Sequence, residues 1–232
     1  MSPIILITGT SKGIGKSLAE HYLVVGWTVI GCSRSTATIE HSAYTHYSLD
    51  ATDEAAVVRM VRQIARGHGR IDALINNAGI AAMNALMTTP ATSALRVMNT
   101  NFQSTFLCTR EVAKVMMRVR SGRIVNFSTV AVPLRLEGEA VYAASKSAVE
   151  TLTRVSAREL GGFNITVNAI GPTPVETDLI KAVPKAKIDA LLARQSISRL
   201  GTFADISNVT DFFLAPASAF VTGQVIYLGG VG

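Results

Sequence analysis

The sequence predicts an α/β domain built on a doubly wound parallel sheet with helices on both faces. Three observations point there. Short β-branched runs alternate with longer stretches of helical period along the whole 232-residue chain, the pattern of strands joined by crossover helices. Apolar residues make up 48% of the composition and charged residues 16%, which suits well-covered sheet faces rather than a disordered tail. No internal repeat, low-complexity tract or hydrophilic linker divides the chain, and its length fits one large domain better than two small ones.

In chain order, "IILIT" (4–8) reads as the first strand and is followed by a glycine turn over 9–15. Leu18, Ala19, Tyr22 and Leu23 then recur at the i, i+3, i+4 spacing of a helix with one buried stripe. The runs "TVIGCS" (28–33) and "HYSL" (46–49) read as the second and third strands, and Val57, Val58, Val61 and Ile64 mark the next helix. "DALIN" (72–76), "RIVNFS" (123–128), "ITVNAI" (165–170) and "QVIYLG" (224–229) complete a count of seven strands. The stretch "GPTPVETDLIKAVP" (171–184) breaks both periods with three prolines and two acidic residues, so a candidate substrate lid is placed at about 171–200.

Bulk properties exclude several function classes. Lys plus Arg exceeds Asp plus Glu by 22 − 16 = 6, which favours anionic ligands, yet no like-charge run or basic-aromatic interleaving points to nucleic acid. Cys32 and Cys108 belong to no C-x-x-C or Cys/His cluster and are expected to pack in the core. His21, His41, His46 and His68 lack metal-ligand spacing; surface or loop positions are expected for them, and no metal site. No apolar run approaches the roughly 20 residues of a membrane span, and "PIILITG" begins without a basic leader, so a cytoplasmic protein with no membrane partner is expected.

The glycine turn raises the question of its ligand. Gly15-Lys16-Ser17 looks like the end of a nucleoside-triphosphate loop, but Thr10 stands where that loop needs its first glycine. Counted from Gly9, the spacing is G-x-x-x-G-x-G, and the flanking strands and helix supply the βαβ context of a dinucleotide site. Gly9 permits the tight turn, Gly13 a close approach of backbone to pyrophosphate, and Gly15 close packing of the helix. The second strand ends in "CSRS", with Ser33 where an unphosphorylated ribose would meet a carboxylate and Arg34 next to it. With Lys12 across the turn, these charges suit a 2′-phosphate, so NADP(H) is expected over NAD(H).

"VYAASKSAV" (141–149) puts Tyr142 and Lys146 one helical turn apart. Together with "NNAG" (76–79) and "TGTSKGIG" (8–15), that pair makes the chain resemble the short-chain dehydrogenase/reductase family, from the first strand to "TGQVIYLGG" (222–230). The resemblance implies a single Rossmann domain over residues 1–232, with strand order 3-2-1-4-5-6-7. It implies that Tyr142 protonates the substrate carbonyl, that Lys146 lowers the phenol's pKa and holds the nicotinamide ribose, and that Asn101 kinks its helix and holds a proton-relay water. Thr129 stands where the family places a polarising serine, with Ser128 the alternative, and Val132 narrows the same space. Cofactor contacts are carried over to Ser11, Ile14, Asp50, Ala51, Asn77, Ala78, Gly79, Tyr142, Lys146, Pro172, Val175 and Thr177.

The implied reaction is NADPH-dependent reduction of a ketone, reversible as an alcohol dehydrogenase. "SGRIVN", "NTNF" and "RLG" (199–201) resemble 3-oxoacyl-acyl-carrier-protein reductases, and Arg120 lies where a carrier-binding arginine occurs. Phe163, near the place of a second such arginine, and the proline-rich lid leave a free small or cyclic ketone as the other substrate class. A catalytically impaired NADP(H)-binding sensor or scaffold is the alternative from a different class. The helical stretches with Phe102, Phe106 and Leu107 and with Val149, Leu152 and Val155 are expected to join copies of the chain into a homotetramer or homodimer.

Overall fold

The first strand, β1 (Ile4–Thr8), sets the pattern for the sheet. Ile4 and Leu6 enter one core cluster while Ile5 and Ile7 enter another, because successive side chains leave a strand on opposite faces. The computed structural model describes residues 2–36, 38–176, 180 and 183–231. Chain order after β1 is α1 (Gly13–Val24), β2 (Thr28–Ser33), β3 (Tyr44–Ser48), α2 (Glu54–His68) and β4 (Ala73–Asn76). Next come α3 (Ala91–Met98), a π turn (Asn99–Gln103), α4 (Ser104–Val119), β5 (Gly122–Phe127), the short α5 (Ala131–Leu134) and α6 (Ala140–Leu160). The chain closes with β6 (Ile165–Gly171), α7 (Lys185–Leu192), α8 (Phe203–Leu214) and β7 (Val225–Tyr227).

All pairings are parallel, in the order β3-β2-β1-β4-β5-β6-β7. One face is covered by α2, α4 and α6 through residues such as Val57, Ile64, Leu107, Val112 and Ala157. The other is covered by α1 and α8 through Leu18, Tyr22, Ile206 and Phe213. Strand order reverses between β1 and β4, so the segments leaving their carboxyl ends diverge and open a crevice there. That crevice is where the site forms.

Several boundaries differ from the sequence reading. The third strand begins at Tyr44 rather than His46, because this edge strand is only half buried and its apolar signal is weak. The seventh strand is three residues long, cut off as Gly229 and Gly230 adopt φ values of 85° and 71°. Within the candidate lid, residues 185–192 are helical, and Val175 makes an isolated parallel bridge to Gly201. Thr177 lies outside the described residues. His21 and His46 are not free surface groups: His21 pairs with Asp211 across α1 and α8, and His46 is hydrogen-bonded on β3.

Candidate active site

The glycine turn is shaped by groups that leave no room for side chains. Gly9 has φ 79° and Gly13 φ 59°, the left-handed region that glycine enters without strain. A Cβ on Gly15 would lie 2.2 Å from the Gly9 carbonyl oxygen and 2.4 Å from Asn77 Nδ2, so α1 closes directly onto the turn and the end of β4. Thr8 completes the junction: its hydroxyl oxygen accepts from the backbone N–H groups of Asn77 at 3.1 Å and Ala78 at 2.9 Å. Asn77 Nδ2 donates back to the Thr8 carbonyl at 3.0 Å.

A cavity of about 560 Å³ runs from this turn across the carboxyl edge of the sheet. Its walls include Gly9, Ser11, Lys12, Gly13, Ile14, Ser33, Arg34, Asp50, Ala51, Asn77, Ala78, Gly79, Tyr142, Lys146 and Pro172 from the residues picked out in the sequence. Gly15, Asn101, Thr129 and Val175 are buried and are not among its lining residues. Asp50 turns its carboxylate onto Thr52, accepting from the backbone N–H at 2.9 Å and the hydroxyl at 2.8 Å.

At the other end, α6 carries Tyr142 and Lys146. Burial pushes the Tyr142 phenol up to about 12, with Thr129 within hydrogen-bond reach pulling it back and Glu139 adding to the rise. Burial also pulls the Lys146 ammonium down to about 8. Its Nζ donates to the Phe127 carbonyl at 2.7 Å. Burial, Thr129 and Glu139 shift the phenol, and Lys146 is not among the causes; the lowering by Lys146 is expected together with the positive charge of an oxidised nicotinamide.

The two neighbouring hydroxyls on the turn after β5 differ in their partners. Ser128 lines the cavity, but its hydroxyl donates to Glu150 Oε1 at 2.5 Å, and Tyr227 donates to the same oxygen. Thr129 Oγ1 accepts from the Ala131 N–H at 3.2 Å and faces Tyr142. Asn101 sits fully buried in the π turn, a local widening of the helix between α3 and α4. Its amide bonds both backbone groups of Ile80, at 2.8 and 2.9 Å, and donates to Ser145 Oγ at 2.9 Å.

Past β6, Thr173 is buried. Its hydroxyl donates to Gln195, and its methyl occupies the space left by Gly201, where a Cβ would come within 2.8 Å of it. Sequence reasoning missed Thr8, Ser145, Glu150, Gln195 and Tyr227. Only Glu150 left a readable signal, a carboxylate one turn after Lys146 on the inward stripe of α6; the others acquire their partners only through folding. Cys32 and Cys108 are buried, with burial pushing the Cys32 thiol up to about 12. Among the described residues no cluster of three or more His, Cys, Asp or Glu side chains could hold a metal ion, and no helix is long and apolar enough to cross a membrane.

Known proteins are similar to this chain over nearly its full length. Residues 9–230 match the family model adh_short_C2, described as Enoyl-(Acyl carrier protein) reductase. The chain is 34% identical to the 3-oxoacyl-[acyl-carrier-protein] reductase FabG of Vibrio cholerae over 98% of this chain and 96% of the relative. It is 37% identical to the (2S)-[(R)-hydroxy(phenyl)methyl]succinyl-CoA dehydrogenase subunit BbsD of Thauera aromatica, covering 98% and 95%. Among solved structures, ElxO with NADP bound superposes with a TM-score of 0.91 at 30% identity, covering 98% of this chain and 97% of that one. An aldohexose dehydrogenase of Thermoplasma acidophilum in ligand-free form gives 0.91 at 26% identity, covering 99% and 93%. With its glycine turn, its Tyr142 and Lys146 pair and its seven-stranded sheet, this chain belongs to the short-chain dehydrogenase/reductase family of oxidoreductases.

Proposed function

We propose that the chain is an NADP(H)-dependent reductase that converts a ketone to an alcohol, and runs in reverse as an alcohol dehydrogenase. The observation that carries this reading is a single cavity with Ser33 and Arg34 at one end and Tyr142 and Lys146 at the other. A turn in which Gly9 and Gly13 have positive φ and the helix starts at Gly13 on the cavity wall fits a pyrophosphate, and a guanidinium beside a serine fits a 2′-phosphate. NADPH, when bound, supplies the hydride. The residues of this chain hold and orient it: the 9–15 turn at the pyrophosphate, Arg34 and Lys12 at the phosphorylated ribose, Asp50 and Ala51 near the adenine, and Lys146 at the nicotinamide ribose.

Tyr142 donates its proton to the carbonyl oxygen in the reducing direction. A phenol pushed up to about 12 stays protonated at neutral pH, ready to act as an acid. Thr129 supplies the polarising hydroxyl, since the proton of Ser128 is committed to Glu150. Asn101 holds the widened helix turn and takes part in proton relay. Val175 and Thr177 orient the carboxamide, and residues 171–200 cover the substrate.

The substrate is a 3-oxoacyl thioester or a small or cyclic ketone. Arg120, the expected carrier contact, donates to the Gly162 carbonyl at 2.7 Å and stacks over Phe163 at 5.6 Å, which favours the free ketone. The test is NADPH oxidation with β-ketoacyl thioesters, diketones and cyclic ketones, comparing native protein with Tyr142→Phe. Loss of turnover by about a thousandfold with NADPH binding retained is expected; equal rates in both proteins would overturn the assignment. A sensor or scaffold protein would bind NADPH and turn over none of the panel.

A further inference from the structure

A polar network away from the catalytic wall lies behind the loop Ser33–Ser35. His46 on β3 places Nε2 3.0 Å from the Ser35 carbonyl oxygen and 3.2 Å from Ser33 Oγ, and Nδ1 2.9 Å from the Tyr44 hydroxyl. Tyr44 donates onward to Thr10 Oγ1 at 3.0 Å, inside the glycine turn. The network rests on bare β2 backbone: a Cβ on Gly31 would come within 2.2 Å of the Tyr44 hydroxyl and 2.4 Å of Thr10 Oγ1. The outer side of the same loop, Ser33, Arg34 and Ser35, is cavity wall.

We propose that His46 is a positioning residue that makes this loop select a phosphorylated ribose, an inference that rests on reading the cavity as an NADP(H) site. The Ser33 hydroxyl donates to the Ser35 carbonyl at 2.6 Å, the same acceptor that His46 reaches. With the imidazole N–H on that carbonyl, the Ser33 hydroxyl is released to donate, beside Arg34, to a phosphate oxygen. On its other side the ring meets the Tyr44 and Thr10 hydroxyls through Nδ1, and no carboxylate is among its hydrogen-bond partners.

The other titratable groups on the flanking elements are Cys32 and Arg34 on β2 and its loop, Lys12 and Lys16 at the start of α1, and Glu40, His41, Tyr47 and Asp50 around β3. Asp50 is turned to Thr52, Lys16 to Thr38 and Glu20, and His41 Nδ1 accepts from the Ala43 N–H.

The experiment is titration calorimetry with NADPH, NADH and 2′,5′-ADP on wild type, His46→Gln and His46→Ala. His46→Ala is expected to weaken NADPH and 2′,5′-ADP about fivefold to tenfold, with NADH unchanged as the check on folding. His46→Gln, whose amide can donate to the Ser35 carbonyl, is expected to bind NADPH within about twofold of wild type. Equal weakening of NADPH and NADH by His46→Ala, or His46→Gln losing NADPH affinity as His46→Ala does, would overturn the inference alone. A wild type that binds NADPH no better than NADH would overturn the cofactor reading beneath it.

Discussion

Lys146 is 4% exposed and its ammonium is pulled down to about 8, so the fold pays for keeping a cation beside Tyr142. An unfolded lysine stays protonated up to its ordinary value of 10.5, so between about pH 8 and that value the unfolded chain binds more proton and stability rises with pH. Lys146→Met removes the penalty but leaves the Phe127 carbonyl without its donor; the net expectation is a gain of about 2 kcal/mol in a thermal melt at neutral pH, with turnover lost. For native protein, kcat/KM of ketone reduction is expected to fall above about pH 8 as Lys146 loses its charge, a limb to be read from a pH profile. Thr129→Val is expected to lower kcat about a hundredfold and Ser128→Ala only a few-fold, measured under saturating NADPH. The Tyr142 and Lys146 pair was legible because a helix repeats every turn. The choice between Ser128 and Thr129 was not, because it depends on Glu150, 22 positions further along the chain than Ser128.

At the scale of elements, the glycine turn and the π turn are the two devices that set the site. Their legibility differs. The spacing of Gly9, Gly13 and Gly15 is local, and each position meets a backbone constraint that the sequence pattern anticipates. Gly15→Ala is expected to destabilise the protein by about 3 kcal/mol or more, because the Gly9 carbonyl oxygen and Asn77 Nδ2 cannot both retreat; a denaturant titration checks the loss. The widening at Asn99–Gln103 was legible only through the mid-helix Asn101, whose amide is satisfied by Ile80 and Ser145 from two other segments. The bulk of Thr173 is matched by Gly201 28 positions away, a compensation that no local window reveals.

For the molecule as a whole, alternating strand and helix periods imply the parallel sheet, and the reversal of strand order between β1 and β4 places the cavity. Association of copies is a proposal carried by the outer faces of α4 and α6. Of the residues expected there, Leu107 and Val149 are core, while Phe106 is 38% exposed and Val155 49% exposed. Light scattering after gel filtration is expected to give a dimer or tetramer, and Phe106→Arg with Val155→Arg to shift it toward monomer; a monomeric native protein would refute the proposal.

The sequence by itself determined the fold class, the order of elements, the phosphate-facing glycine turn and the tyrosine and lysine pair, because each is written in spacings shorter than a helix or a turn. Tertiary structure alone decided which polar groups are free. Glu150 accepts hydrogen bonds from the hydroxyls of Ser128 and of Tyr227, 77 residues on, and His46 supports a loop on the neighbouring strand. Buried hydrogen bonds must be satisfied across the whole packed core, and their partners are chosen by proximity in space rather than along the chain.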